Sequence, residues 1–213
     1  MLNHDNIINI VEVHSTDDEV VVVMPLMKAG LLSSFIHNHP KMSTTVIREV
    51  MRQILEGLAY MDSMRVIHRD IKSSNILVEE YFKIDGDKVP KIKIADLGLA
   101  IFATDDPKLI RVRVGTPGYM APELFMLNDK QGDTVEISSK LDVFSAGIIF
   151  FQLVAKRNPF KPNDQADVVK LNEAGKIVFD SILLNKFSVE GVDLMKKMLE
   201  RNPKIRISAK VAC

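Results

Sequence analysis

The sequence predicts an α+β fold, mostly helical, with a small β portion at its start. Three observations carry that expectation. Two β-branched runs, Ile7 to His14 and Glu19 to Met24, flank the turn cluster Ser15-Thr16-Asp17-Asp18, the composition of two strands and a turn. Apolar residues then recur at 47, 50, 51, 54, 55, 58 and 61, the i, i+3, i+4 spacing of an amphipathic helix. Val143 to Ala155 is apolar nearly all round, which suits the buried central helix of a globular domain.

Taken in order, the elements follow from local chemistry. Pro25 ends the second strand, and Lys28-Ala29-Gly30 reads as an exposed connection; without further context Val20 to Leu26 reads as a buried strand. The helix spans Met42 to Met64 with Ser43 as its N-cap. Val66 to Val78 is a loop leading into a short strand, and Lys91 to Ala95 is expected to pair with it as a hairpin. Glu79 to Pro90, with Asp85-Gly86-Asp87, is expected to be an exposed turn. From Leu124 onward the pattern is helical, with a central helix near 141–155 and another over 189–200 capped by Ser188 and stopped by Asn202-Pro203. Ile207 to Cys213 resembles the opening turns of a final helix.

Composition narrows the possible functions. The 213 residues suffice for one domain with a sizeable core. Lys plus Arg total 28 and Asp plus Glu total 28, so no net field draws nucleic acid or anionic lipid. The most apolar stretch falls short of the ~20 residues that cross a bilayer, so membrane insertion is not expected. A single cysteine, Cys213, rules out an internal disulfide and suits a reducing compartment; with no signal-peptide pattern, the expected location is cytoplasmic. Nothing in the sequence indicates an oligomeric state.

The chemistry is concentrated in His68-Arg69-Asp70-Ile71-Lys72-Ser73-Ser74-Asn75. One loop there can aim a carboxylate, an ammonium and an amide into one cleft, the groups that orient a hydroxyl, neutralise a phosphate and ligate a metal. Asp96, at the end of the Lys91 to Ala95 strand, adds a hard oxygen ligand for Mg²⁺. Singly, Asp70 reads as a turn residue, Lys72 as a solvated charge and Asn75 as a cap. Their order with Asp96-Leu97-Gly98 and with Gly115-Thr116-Pro117-Gly118-Tyr119-Met120-Ala121-Pro122-Glu123 removes that reading.

This H-R-D-x-K-x-x-N, D-x-G, A-P-E series resembles the eukaryotic protein kinase family, serine/threonine type, across essentially the whole chain. The resemblance implies a kinase-like fold with a mostly helical C-lobe. Residues 1–24 would be a remnant of the N-lobe sheet, 25–30 the hinge, and 31–213 the C-lobe with its final helix truncated. It implies ATP and Mg²⁺ as cofactors and proteins with Ser/Thr acceptors as substrates. Asp70 would be the catalytic base, Lys72 the γ-phosphate contact, and Asn75 and Asp96 the metal ligands, with Thr116 placing Asp70 and Lys72. Adenine would meet Pro25, Leu26 and Met27, with Met24 as gatekeeper and Leu77 as the floor. His68 and Leu97 would join a hydrophobic spine, Leu97 replacing the commoner Phe ahead of Gly98. Glu123 and Arg206 would form a buried ion pair, and Asp142 would hold the catalytic loop.

Lys72 two residues after Asp70 and the Gly115-Thr116-Pro117 run carry the serine/threonine assignment. Leu31 and Ser74 stand where basic-directed relatives often carry acids, so a preference for upstream arginine is not expected. Arg69 resembles the arginine of phosphate-switched kinases, yet Val112, between Arg111 and Arg113, occupies the usual acceptor position. Control by phosphorylation at that position is therefore not expected, and Thr104 is the hydroxyl to test. No G-x-G-x-x-G occurs, and the family's glycine-rich loop, strand lysine and helix glutamate would lie upstream of residue 1. Both ends therefore suggest a fragment, expected to be weakly active or inactive alone and to expose apolar surface at its start. The alternative is a kinase-like binding or scaffold module without catalysis.

Overall fold

The two β-branched runs pair as an antiparallel ribbon, β1 (Glu12–Ser15) with β2 (Val20–Val23). The computed structural model describes residues 2–105, 110–128, 137–160, 165–175, 177, 179 and 187–213. Thr16 closes the turn, donating its N–H to the Glu19 carbonyl at 2.8 Å and accepting the Glu19 N–H on Oγ1 at 3.1 Å. The expectation of a buried strand over Val20 to Leu26 is corrected. Val20 is 67% exposed and Leu26 81%. Among the described residues no second layer covers this ribbon. Ile7, expected in the first strand, leaves the ribbon altogether and forms a parallel bridge with Ile94, its side chain fully buried in the main core.

Helix α1 (Leu32–Asn38) buries Leu32 and Phe35, and α2 (Thr44–Ser63) follows. Ser43 caps α2 as the sequence predicts, its Oγ accepting the Val46 N–H at 3.2 Å. Val50, Ile54, Leu58 and Met61 fill one face of α2, while Arg52 joins Glu49 and Glu56 on its outer face. After α2 the short strand β3 (Val66–Ile67) pairs with β6 (Ile101–Phe102), bracketing residues 68–100 from both sides.

The hairpin between them is longer than expected. Strand β4 (Ile76–Ile84) pairs with β5 (Asp87–Ile94), so Glu79 to Pro90 is mostly strand and the turn shrinks to Asp85-Gly86. Both turn residues have positive φ, 50° and 88°, the geometry that a two-residue hairpin requires and Asp-Gly accommodates. Two polar side chains tie the hairpin to the helical body. Gln53 of α2 donates to the Pro90 carbonyl at 3.0 Å and accepts the Ile92 N–H at 2.8 Å. Asn6 donates to the Ile92 carbonyl at 3.2 Å. Such long-range anchoring holds extended a segment whose turn residues alone suggest a loop.

Helix α3 (Lys140–Ala155) is the apolar helix that the sequence predicts, with Phe144, Ile148 and Phe151 wholly buried. It packs against α2 and against α5 (Val189–Met198), whose N-cap Ser188 accepts the Gly191 N–H at 3.1 Å. The α3–α5 approach needs glycine at 147, because a Cβ there would stand 2.9 Å from Leu199. Helix α4 (Gln165–Ala174) lies against the 3-10 turn Pro122–Asn128, and the short α6 (Ala209–Ala212) rests on α2. Among the described residues no helix is long and apolar enough to cross a membrane.

Candidate active site

The loop between β3 and β4 is suspended from the buried N-terminal turn of α3. Asp142 accepts the N–H of His68 at 2.8 Å and of Arg69 at 2.9 Å, one on each carboxylate oxygen. Arg69 can present its N–H this way because its backbone is left-handed, φ 68°. Burial pushes the Asp142 carboxyl above its ordinary range, and these two backbone donors and the nearby Arg69 charge oppose that rise. The His68 ring, wholly buried, bonds Nε2 to the Ala95 carbonyl at 3.0 Å and accepts the Asp70 N–H on Nδ1 at 3.3 Å. A carbonyl can only accept, so the ring proton sits on Nε2. His68 thereby fixes the start of the loop to the end of β5.

Three predicted residues converge on the carboxylate of a fourth, Asp70. Asp70 Oδ2 accepts from Lys72 Nζ at 2.7 Å and from Asn75 Nδ2 at 3.0 Å, and Thr116 Oγ1 donates to Oδ1 at 2.6 Å. Lys72 Nζ also donates to Thr116 Oγ1 at 2.9 Å, closing a ring of contacts. Burial alone would raise the Asp70 carboxyl, but the hydrogen bonds from Lys72 and Thr116, the Lys72 charge and Asn75 outweigh it and hold it below the ordinary carboxylate range. Asp70 is thus an ionised carboxylate in a largely closed pocket, 8% exposed, with its orientation over-determined by three donors.

The other predicted residues stand around this centre. Asp96 directly follows Ala95, whose N–H bonds the Asn75 carbonyl at 2.9 Å, so the two predicted metal ligands occupy adjoining ends of the β4–β5 hairpin. Asp96 is exposed, left-handed at φ 65°, and caps the 3-10 turn Leu97–Leu99 through a 3.4 Å bond from the Gly98 N–H. Leu97 is half-buried and lines an apolar cavity with Val66 and Ile101. Leu77, half-buried in β4, is bridged to Leu31, and Val78 N–H bonds the Gly30 carbonyl at 2.8 Å, which docks the 25–30 connection onto the hairpin. Met24 and Pro25 are exposed and Met27 half-buried, and no described hydrogen bond or ion pair joins them to Asp70 or Asp96. Arg69 Nε donates to the Leu99 carbonyl at 2.7 Å. Val112 and Thr104 are exposed.

The 115–123 run is fastened against this loop. Gly115 has φ 119°, and a Cβ there would lie 2.7 Å from the Arg69 carbonyl, so only glycine allows the approach. Tyr119 OH meets Ser73 Oγ at 3.1 Å and Gln152 Nε2 at 2.9 Å, and Ser145 Oγ donates to the Tyr119 carbonyl at 2.8 Å. Asn172 of α4, wholly buried, accepts the Gly118 N–H at 2.8 Å and donates to the Met120 carbonyl at 2.7 Å. Sequence reasoning missed Asn172 because a lone amide some fifty positions away carries no local signal. Below the run, Glu123 and Arg206 form a two-pronged buried pair at 2.6 and 2.8 Å.

Comparison with known proteins bears on the family of the chain. The chain matches the protein kinase domain family over residues 1–213. It is 31% identical over 207 residues to Serine/threonine-protein kinase cds1 of Schizosaccharomyces pombe, covering 97% of this chain and 43% of that protein. It is 34% identical over 206 residues to Calcium-dependent protein kinase 5 of Plasmodium berghei, covering 97% and 34%. Against Serine/threonine-protein kinase 33 of Mus musculus the identity is 27% over 212 residues, covering 98% and 42%. The chain therefore spans less than half the length of these relatives. With its catalytic-loop, D-x-G and A-P-E sequences in order and a match along its whole length, the chain belongs to the eukaryotic protein kinase family, serine/threonine type.

Proposed function

We propose that this site transfers the γ-phosphate of ATP to serine or threonine hydroxyls of protein substrates. The observation that carries the reading is Asp70, ionised and held by Lys72, Asn75 and Thr116. An acceptor hydroxyl donating to Asp70 is aligned for attack. As its oxygen bonds the γ-phosphorus, the bond from that phosphorus to the bridging oxygen breaks; ADP departs with the electron pair and the hydroxyl proton passes to Asp70. Lys72, 2.7 Å from Asp70, neutralises charge on the transferred group.

The donor set suits Mg²⁺. Asn75 commits its Nδ2 to Asp70, which leaves Oδ1 for a hard cation, and the exposed carboxylate of Asp96 supplies the second oxygen. Held by Asn75 and Asp96, Mg²⁺ would offset the negative charge of the phosphates. We assign 31–213 to the catalytic lobe, 25–30 to the hinge facing adenine through Pro25 and Met27, with Met24 behind and Leu77 beneath, and 1–24 to an upper β layer. The uncovered β1–β2 ribbon and the docking of Gly30 and Leu31 on β4 support that division. We also assign the protein to the cell interior, acting on proteins and not on nucleic acid.

The test uses the natural protein with γ-labelled ATP, Mg²⁺ and peptides differing only in a Ser, Thr or Tyr acceptor. Label on the Ser and Thr peptides is expected. Label confined to the Tyr peptide, or no transfer to any, would refute the reading.

A further inference from the structure

The backbone that carries Thr116 is held by elements outside the catalytic loop. Thr116-Pro117-Gly118-Tyr119 is a β-turn closed by the Tyr119 N–H, which donates to the Thr116 carbonyl at 3.1 Å. Pro117 and Gly118, the latter at φ 87°, suit the second and third places of a type II turn. Such a turn uses neither the N–H nor the carbonyl of its third residue, and here two asparagines take them. Asn172 Oδ1 accepts the Gly118 N–H at 2.8 Å, and Asn158 Nδ2 donates to the Gly118 carbonyl at 3.2 Å. Asn172 Nδ2 reaches on to the Met120 carbonyl at 2.7 Å, and Ser145 Oγ donates to the Tyr119 carbonyl between them at 2.8 Å. The successive carbonyls of 118, 119 and 120 are thus bound by side chains of the loop after α3, of α3 and of α4.

Asn172 anchors this set. Its side chain is wholly buried, a costly place for an amide unless both its ends are bonded, and both bonds go to the backbone on either side of Tyr119. Asn158 is fixed in turn, its Oδ1 accepting the Phe160 N–H at 2.8 Å. At the other end of the turn stands Thr116, whose hydroxyl donates to Asp70 Oδ1 at 2.6 Å and accepts from Lys72 Nζ at 2.9 Å. Any suitable donor and acceptor would satisfy the buried backbone of Gly118 and Met120. The present arrangement does more, because it places the turn in one frame with Asp70. Helix α3 carries Asp142, which suspends the loop bearing Asp70, and three residues later Ser145, which holds Tyr119. Asn172 adds α4 to that frame and fixes the turn where the Ser145 bond alone would leave it free to pivot.

We propose that Asn172 is a positioning residue: acting through the 116–119 turn, with Asn158 as its second arm, it holds the Thr116 hydroxyl against Asp70. Its value for catalysis rests on the phosphate-transfer reading, whereas the placing of the turn does not. Asn172 touches neither Asp70 nor Lys72 in any described hydrogen bond, so its influence passes through the backbone of Gly118. With that bond gone the turn can pivot, and Asp70 loses the donor that fixes its Oδ1. A small misplacement at this point is felt in the rate, because the acceptor hydroxyl must meet an oriented carboxylate.

The test is a double-mutant cycle on the natural protein, with γ-labelled ATP, Mg²⁺ and a serine peptide, at matched folded concentration. Asn172→Leu should lower kcat roughly tenfold, with KM for ATP unchanged. Added to Thr116→Val, which leaves no hydroxyl to place, the same substitution should lower kcat by less than about twofold. An Asn172 that only supports the fold would cost the same factor in both backgrounds. That result, or a wild-type kcat in Asn172→Leu, would overturn the proposal. Asn158→Ala, which removes the weaker arm, should show the same pattern at roughly threefold and serves if Asn172→Leu does not fold. Amide hydrogen exchange gives a readout without turnover. Either variant should speed exchange at Tyr119, whose N–H closes the turn, while the α2 amides stay protected. Absence of transfer in the wild type sinks the kinase reading alone, and the exchange result then decides this one: unchanged protection at Tyr119 overturns it.

Discussion

Replacing Glu123 by alanine isolates the energetics of a buried charge. The Arg206 guanidinium has five N–H donors, and each has a partner. Nε reaches the Glu200 carbonyl at 2.7 Å; one terminal nitrogen reaches Glu123 Oε1 at 2.6 Å and the Lys140 carbonyl at 2.9 Å; the other reaches Glu123 Oε2 at 2.8 Å and the Arg201 carbonyl at 3.2 Å. Both side chains are essentially inaccessible, so water cannot replace the lost carboxylate without local opening. Glu123→Ala removes two of five bonds and all of the compensating charge, a loss of about 3–5 kcal/mol. For a chain of this size that lowers Tm by roughly 6–20 °C. The assay is urea unfolding followed by circular dichroism, with Glu123→Leu/Arg206→Met as the paired control. The double variant should be closer to wild type than Glu123→Ala, because it leaves no orphaned charge. A single variant within about 1 kcal/mol of wild type, or a double variant less stable than the single, would refute this reasoning.

Other outcomes follow from the loop. The folded Asp70 carboxyl lies below its ordinary value of 3.8, so its stabilisation is fully present above that pH and is lost as pH falls through the lower folded value. Unfolding free energies for wild type and Asp70→Asn should therefore converge as pH drops from about 5 toward 2, and a constant gap would contradict the assignment. Asp142→Asn presents an amide donor to one of two backbone N–H groups; it should reduce stability by about 1–3 kcal/mol and speed hydrogen exchange at His68 and Arg69, where unchanged protection would count against the suspension described. Gly115→Ala, with its Cβ 2.7 Å from the Arg69 carbonyl at φ 119°, should impair phosphate transfer by the natural protein more than it lowers thermal stability, and full activity would show that the approach is not needed.

What the sequence revealed depended on how local the signal was. The Ser43 and Ser188 caps, the α2 stripe and the apolar α3 are set by neighbours three or four positions away, and they stand as expected. The catalytic loop was equally legible, since Asp70, Lys72 and Asn75 lie within one turn of chain. The length of the β4–β5 hairpin was not, because Gln53 and Asn6, far away in sequence, stabilise the strands that flank Asp85-Gly86. Exposure of Val20 to Val23 was legible only through the family resemblance, which implied apolar surface at the start of the chain, because β-branched composition dictates a strand but not what covers it. Asn172 joins α4 to the 115–123 run through tertiary contact alone.

The central claim is that Asp70, clamped by Lys72, Asn75 and Thr116, governs phosphate transfer. It is tested most directly by transfer from Mg²⁺-ATP to a serine peptide, comparing the natural protein with its Asp70→Asn variant at matched folded concentration. The account predicts a loss of roughly 10²–10⁴-fold with the peptide's binding retained. Transfer by Asp70→Asn at the wild-type rate would contradict it.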